Sequence, residues 1–276
     1  MQAVTESSVD TWRASLALTY ERAGSRTVLR RRHTGPLLVQ RPFYPDGATC
    51  HTVILHPPAG IVGGDRLAIN VHCHQRASAL LTTPGATRYY GSDGRVAQQT
   101  QQIQVNGGSV EWLPQETIYF DRCLARQELL VNVDRHSCFI GWEVNCFGRP
   151  AGGHWFTQGQ ATIALRVMCD GLPLLQERLV IDGAHDIKRL SGLRGATVSA
   201  TMLAVAPAQD PQHWLDVARA ALPGADFAAT QIDSVLAIRY LGDSAEAARA
   251  GFIQAWKALR PMILKKPAVE PRIWTT

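Results

Sequence analysis

The residues of this chain with most capacity for chemistry are carboxylates set in apolar sequence. Glu111, Glu116 and Asp121 sit among Trp112, Leu113, Ile118, Tyr119 and Phe120, and Glu143 stands between Trp142 and Val144. Burying a carboxylate is costly unless it is paired, hydrogen-bonded or bound to a metal. Such acids therefore either serve the fold or offer oxygen donors to a ligand. On a strand, Glu116, Ile118 and Phe120 share one face and Asp121 points the other way. Separated oxygen donors lining a path fit this pattern as well as a compact site does. Alternatively, a pair such as Glu116 and Glu143 serves as acid and base of a β-rich glycoside hydrolase, which requires a separation of roughly 5–9.5 Å.

Other constellations are weaker. In His72-Cys73-His74 the two imidazoles share one face of a strand and the thiol takes the other, so at most two ligands converge. HExxH, CxxC and GxSxG patterns are lacking. In the loop 56–65, Pro57 and Pro58 fix the backbone while Gly60, Gly63 and Gly64 permit tight turns. A phosphate loop needs Gly-Lys-Ser/Thr where this chain has Gly64-Asp65-Arg66, so the loop reads as a rigid turn whose Asp65 caps nearby amides. Glu177 and Arg178, ahead of Leu179-Val180-Ile181, read equally well as a surface ion pair.

Three separated segments resemble the urease accessory proteins called UreD or UreH. They are His56-Pro57-Pro58-Ala59-Gly60-Ile61-Val62-Gly63-Gly64-Asp65, Trp112-Leu113-Pro114-Gln115-Glu116-Thr117-Ile118-Tyr119-Phe120-Asp121, and Pro271-Arg272-Ile273-Trp274-Thr275. Leu81-Thr82-Thr83 and the stretch from Glu143 to the Gly148-Arg149 turn add to the likeness. The family has an acid where this chain has His154, so one carboxylate of the family pattern is replaced by an imidazole. The resemblance implies a layered, β-solenoid-like stack of strands with a few helices. It also implies a non-catalytic maturation factor, a chaperone of assembly that binds apo-urease, joins the accessory protein UreF and, through it, the nickel-carrying GTPase UreG. Nickel would pass through or along the chain, with no tightly bound cofactor and at most transient Ni2+. On that reading Asp65, Glu111, Glu116, Asp121, Glu143 and Glu177 are the candidate path residues. A passing ion must be held weakly enough to leave each position, which suits spaced carboxylates better than a closed His/Cys cage.

The elements that would position these residues follow from periodicity. From about residue 14 to 206 short segments alternate with period two between Gly, Pro, Asn and Asp, the pattern of half-buried strands and turns. The clearest sets Ala161, Ile163, Leu165 and Val167 against Thr162, Ala164, Arg166 and Met168, and ends at Asp170-Gly171-Leu172-Pro173. Further strands are expected at 54–55 with its lead-in, 67–74, 103–105, 110–113, 129–133 and 198–205. Asn106-Gly107-Gly108 reads as a hairpin connection, and Leu81-Thr82-Thr83 as an edge strand and turn. After Pro207 the pattern turns α/β. Asp210-Pro211 is expected to cap a helix bearing Trp214, Val217, Ala218 and Ala221, and a strand 235–241 follows. Asp243 with Glu246 is expected to cap a second helix, with Ala248, Phe252, Ala255, Trp256 and Leu259 inward, that runs to Pro261.

With 276 residues and no long polar linker, a single domain over 1–276 is expected, β-rich over about 14–206 with an α/β part over about 207–276. Charged residues make up only 18% against 46% hydrophobic, which leaves surface for partners to cover, and the net charge of +5 favours acidic ones. Arg30-Arg31-Arg32-His33 lacks the interleaved aromatics of a nucleic-acid site and reads as a solvated strand face. The scattered cysteines read as reduced thiols. Residues 1–12 lack the features of a signal peptide and no window is long and apolar enough for the membrane, so a cytoplasmic location is expected. The aromatic tail at Trp274 is expected to dock, either on the body or against a partner.

Overall fold

The computed structural model describes residues 12–275, so the expectation about the N-terminal segment falls, save Trp12, outside the described residues. The described chain opens with β1 (Arg13–Ala23) and β2 (Arg26–Thr34), an antiparallel pair with Ser15 opposite Thr34. After β3 (Leu38–Val39) the chain winds in rungs through β4 (Cys50–Leu55), β5 (Arg66–Cys73), β6 (Ser78–Thr82), β7 (Thr87–Tyr89), β8 (Ala97–Val105), β9 (Ser109–Trp112), β10 (Thr117–Tyr119), β11 (Leu124–Val133) and β12 (Cys138–Arg149). β5, β8 and β11 stack in parallel in the first sheet. β4, β6, β9 and the first half of β12 do the same in the second sheet. A third, short row joins β7, β10 and the second half of β12. The result is mainly β and layered, wound as a solenoid.

Later elements complete the sheets. β13 (His154–Trp155) is a short partner of β12, while β14 (Gln160–Cys169) and β15 (Leu172–Asp182) extend the first sheet. After α1 (Gly183–Lys188), β16 (Val198–Val205) joins β12 antiparallel. α2 (Trp214–Ala221), β17 (Phe227–Ile232), β18 (Val235–Gly242) and α3 (Ala245–Leu264) follow, the two strands widening the second sheet.

Alternation explains how the layers close. Leu16, Leu18, Ile69, Val71, Ile103, Leu129 and Val131 project inward from the first sheet to meet Val110, Trp112 and Phe139 of the second. The opposite face of the second sheet, with Leu80, Leu113, Ile140, Trp142 and Val144, packs under Phe252, Ala255, Trp256 and Leu259 of α3. Covered on both sides, β12 is buried almost throughout. Each large apolar side chain removed from water there contributes about 1.5–3 kcal/mol. Successive rungs stack like on like: Tyr89 lies over Tyr119 at 5.2 Å and Tyr119 over Phe147 at 5.4 Å between ring centres.

Several local expectations are corrected. Asn106-Gly107-Gly108 joins β8 to β9, which lie in different sheets, so it is a corner of the solenoid and no hairpin. Gly107 has φ 66°, a conformation that such corners and hairpin turns both need, so the residues alone do not separate them. β6 lies between β4 and β9 and is no edge strand. Ser244, and not Asp243, caps α3 by accepting from Ala247 N, because Asp243 is engaged by Thr197. His213 stands at the start of α2 and makes no side-chain cap, while Asp210 accepts from Gln212 N. α3 also runs through Pro261 to Leu264. The proline sits on the exposed side, where water can satisfy the freed carbonyl, while Ile263 and Leu264 are buried and hold the last turn. Trp274 docks on the body, packed against Trp142 and Trp256, and its Nε1 donates to Thr82 Oγ1 at 2.9 Å.

Candidate functional site

Between the two sheets the inward positions change from apolar to polar. Gln99 and Gln101 of β8 and Gln127 of β11 point inward at buried positions, beside Leu67 and Ile69 of the neighbouring β5. Across from them Glu143 of β12 is 5% exposed. Gln127 Nε2 donates to Glu143 Oε1 at 2.7 Å, and the Tyr119 hydroxyl lies within bonding distance of both Gln127 Oε1 and Asn145 Oδ1. These glutamines and Glu143 line a cavity of about 330 Å3 with Ile54, Ile69 and Trp112. Its wall is completed by His56 and Ala59 of the loop 56–65, the turn 83–86 with the start of β7, Pro114 and Gln115. Three buried polar atoms on this lining, His56 Nε2, Gln101 Oε1 and Trp112 Nε1, have no hydrogen-bond partner among the described residues.

Burial sets the electrostatics here. It raises the Glu143 carboxyl to about 7, against the opposing hydrogen bond from Gln127. It lowers the His56 imidazole, against the attraction of Asp65, which favours a neutral ring able to act as a donor. A space of this size has room for several waters. Its donors are one carboxylate poised to exchange a proton near neutral pH, several amide oxygens and one imidazole. These donors are distributed along the lining, and Glu143 Oε1 is engaged by Gln127.

The loop 56–65 is rigid for visible reasons. A Cβ on Gly60 would stand 2.2 Å from the Tyr90 ring, and one on Gly63 would stand 2.3 Å from Ser92 Oγ. Asp65 accepts from Val62 N at 3.0 Å and from Trp12 N at 3.1 Å, so its carboxylate is committed to the turn.

The six candidate acids are not brought together. Glu111 pairs in β9 with Ile140 of β12, which faces α3, and its carboxylate is buried against Arg260 and Trp256. Glu143, three residues beyond Ile140, therefore faces the opposite side of the same sheet. Glu116 lies on the α3 side, 3.9 Å from Arg249, and does not line the cavity, so it and Glu143 do not flank one cleft. Asp121 accepts from Thr157 N, Thr157 Oγ1 and Gln158 N. Glu177 is paired with Arg239. Of the six, Glu143 alone lines the cavity.

The remaining motif residues serve the frame. Pro114 O accepts from Trp142 Nε1, and Gln115 N donates to Thr83 Oγ1. Gly148 has φ 82°, and a Cβ there would stand 2.6 Å from His154 O, so only glycine fits before the exposed Arg149. His154 is exposed and meets the Phe120 ring edge-on, away from the cavity. Arg272 is exposed in the docked tail. The rings of His72 and His74 are 4.0 Å apart, and His72 Nε2 bonds Asn106 Oδ1. The cysteines are free. Among the described residues no group of three His, Cys, Asp or Glu is placed to hold a metal, and no helix is long and apolar enough to cross a membrane. Sequence reasoning missed Gln99, Gln101 and Gln127. The available signal was their parity, since they alternate in step with Ala97, Ile103 and Val105 on the buried side.

Comparison with known proteins gives a consistent picture. The chain matches the family described as UreD urease accessory protein over residues 13–275. It is 45% identical over 273 residues to the urease accessory protein UreD of Dechloromonas aromatica (strain RCB), covering 96% of this chain and 95% of that one. It is 40% identical over 281 residues to the protein of that name from Aliivibrio fischeri (strain MJ11), covering 96% of each. Against the one from Bordetella pertussis (strain Tohama I) identity is 40% over 284 residues, covering 98% and 99%.

Proposed function

Because the chain belongs to the UreD family of urease accessory proteins, we propose that it acts in the cytoplasm as a scaffold for urease maturation. In this reading it binds apo-urease and a UreF-like protein, reaches a UreG-like GTPase through the latter, and passes nickel toward the urease active site by way of the cavity between its sheets. The observation that carries the path is Glu143, a buried carboxylate lining a polar cavity whose His56 Nε2 and Gln101 Oε1 lack partners among the described residues. Neutral imidazole and scattered oxygens hold nickel weakly enough to release it, and a carboxyl near pH 7 can trade its proton for the ion.

Of the six acids, Glu143 is the one we place on the path. Asp65, Glu111, Asp121 and Glu177 are engaged by partners within the fold, and Glu116 faces the helical layer. The test is reconstituted, nickel-dependent urease activation with Glu143→Gln, with assembly of the complex measured in the same samples. Loss of activation with assembly intact supports a conduit. Unchanged activation leaves the chain a plain adaptor with nickel travelling elsewhere.

A further inference from the structure

We propose that the outward face of the first sheet is a docking surface for an acidic protein partner, anchored where Arg13 and Arg66 stand side by side. These two residues are register partners on the adjacent parallel strands β1 and β5, and both are exposed. With Gly64, Val96 and Arg95, the last already paired with Asp93 at 2.8 Å, they surround a surface pocket of about 330 Å3. Like charges directly opposed across a ladder weaken it. A carboxylate set between the two guanidinium groups removes that repulsion and accepts their forked hydrogen bonds.

The anchor belongs to a wider field. Arg126 lies two strands beyond Arg66, across β8, where both are in register with Gln98, while Arg30, Arg32, Arg166 and Arg178 project from the same face and are exposed. Its carboxylates are few. Glu21 is paired with Arg30, Glu128 lies 3.6 Å from Arg166, and Asp182 stands at the strand end. The arginines on this face therefore outnumber its carboxylates, in a chain of net charge +5. Sheets of mainly parallel strands are ordinarily covered on both faces. Here the inner face is covered by the second sheet, whereas the helices α2 and α3 pack on that second sheet, and among the described residues no element covers the outer face.

Protein is favoured over nucleic acid as the occupant. The outward positions of these strands carry no Phe, Tyr or Trp on which bases could stack, and between the arginines stand Ser15, Ala17, Thr100 and Gln102. Arginine forks separated by small polar groups suit a carboxylate-bearing surface with water between.

This inference rests on the reading of the chain as a scaffold, and the experiment separates the two. A fluorescent polyglutamate peptide and a DNA duplex are each titrated into the full chain, at low and at high salt. The same is done with the variant R66E/R126E/R166E and with R122E/K188E/R194E, which changes net charge equally at other exposed sites. The expected result is salt-sensitive peptide binding that the face variant weakens about tenfold or more and the control variant leaves unchanged. No peptide binding by the wild-type chain, equal binding by the face variant, or DNA bound through this face as tightly as peptide would each overturn the proposal. Co-purification with apo-urease and the UreF-like protein is read in parallel. If the wild-type chain captures neither, the scaffold reading fails, whatever the peptide result. If it captures them and the face variant does so equally well, the docking surface fails while the scaffold stands.

Discussion

Glu111 and Arg260, 149 positions apart in the chain, form a buried two-pronged ion pair: Arg260 Nε donates to Oε1 at 2.8 Å and Nη2 to Oε2 at 2.9 Å. Trp256 Nε1 adds a bond to Oε1 at 2.7 Å, and Asp46 approaches Arg260 at 3.2 Å. The cluster ties α3 to the second sheet at a point where neither charge reaches water. It gives this conspicuous acid a part in the fold, and the first prediction follows from it.

Replacing Glu111 by Ala leaves Arg260 buried with only Asp46 as its anionic partner. Breaking one side of such a pair costs about 3–5 kcal/mol. Thermal melting of Glu111→Ala should show a large fall in Tm, and any loss of urease activation by this variant should track the loss of folded protein. A variant that melts like the wild type would remove the pair from the account.

Glu143 should make stability depend on pH. An ordinary glutamate in the unfolded chain titrates at 4.5, whereas burial raises Glu143 to about 7 in the folded chain. Between those values the folded state holds the extra proton, so the carboxyl's contribution falls as pH rises from 4.5 to 7 and stays low above. The full effect is on the order of 3 kcal/mol. Glu143→Gln should therefore be more stable than the wild type at pH 8, and the difference should vanish near pH 4. Equal melting temperatures at pH 8 would contradict the burial of a lone carboxyl.

The docked tail should contribute to stability. Trp274 is half-buried between Trp142 and Trp256 and bonds Thr82. Truncating a large aromatic in a core costs about 3–5 kcal/mol, so roughly 2 kcal/mol is expected for a partly exposed one. Trp274→Ala, and deletion of residues 270–276, should each lower the denaturation midpoint. An unchanged midpoint would mean that the tail is dispensable to the isolated chain.

Asp121 should behave as a structural acceptor. It takes two backbone N–H groups and the Thr157 hydroxyl, and Asp121→Ala leaves them without that partner at a cost of about 1–3 kcal/mol. Corrected for the folded fraction, activation by this variant should equal that of the wild type. A selective loss of activation would return Asp121 to the nickel path.

Much of the fold was legible because period-two alternation is a local property. The set Ala161, Ile163, Leu165 and Val167 is buried as its pattern requires, and 198–205 forms β16. The helical repeat through Ala248, Phe252, Ala255, Trp256 and Leu259 is likewise buried. Which strands stack was not legible, since parallel rungs are joined by the same Gly-rich corners that close hairpins. For the same reason Glu111 and Glu143 looked alike. Each stands in an apolar strand, and only the pairing of Glu111 with Ile140 shows that they face opposite sides of one sheet. The cavity was half legible. Gln99, Gln101 and Gln127 sit at inward parity, but polar side chains in step with Ile103 and Leu129 acquire meaning only when Glu143 is placed across from them.

The central claim is that nickel passes by Glu143 within an assembled maturation complex. Purified wild-type and Glu143→Gln chains should be mixed in equal amounts with apo-urease, the UreF-like and UreG-like proteins and nickel, and urease activity and complex recovery followed together. The account predicts equal recovery of the complex and activation at least about tenfold slower with the variant, the loss of roughly one charge-assisted ligand contact. Equal recovery with equal activation would contradict it.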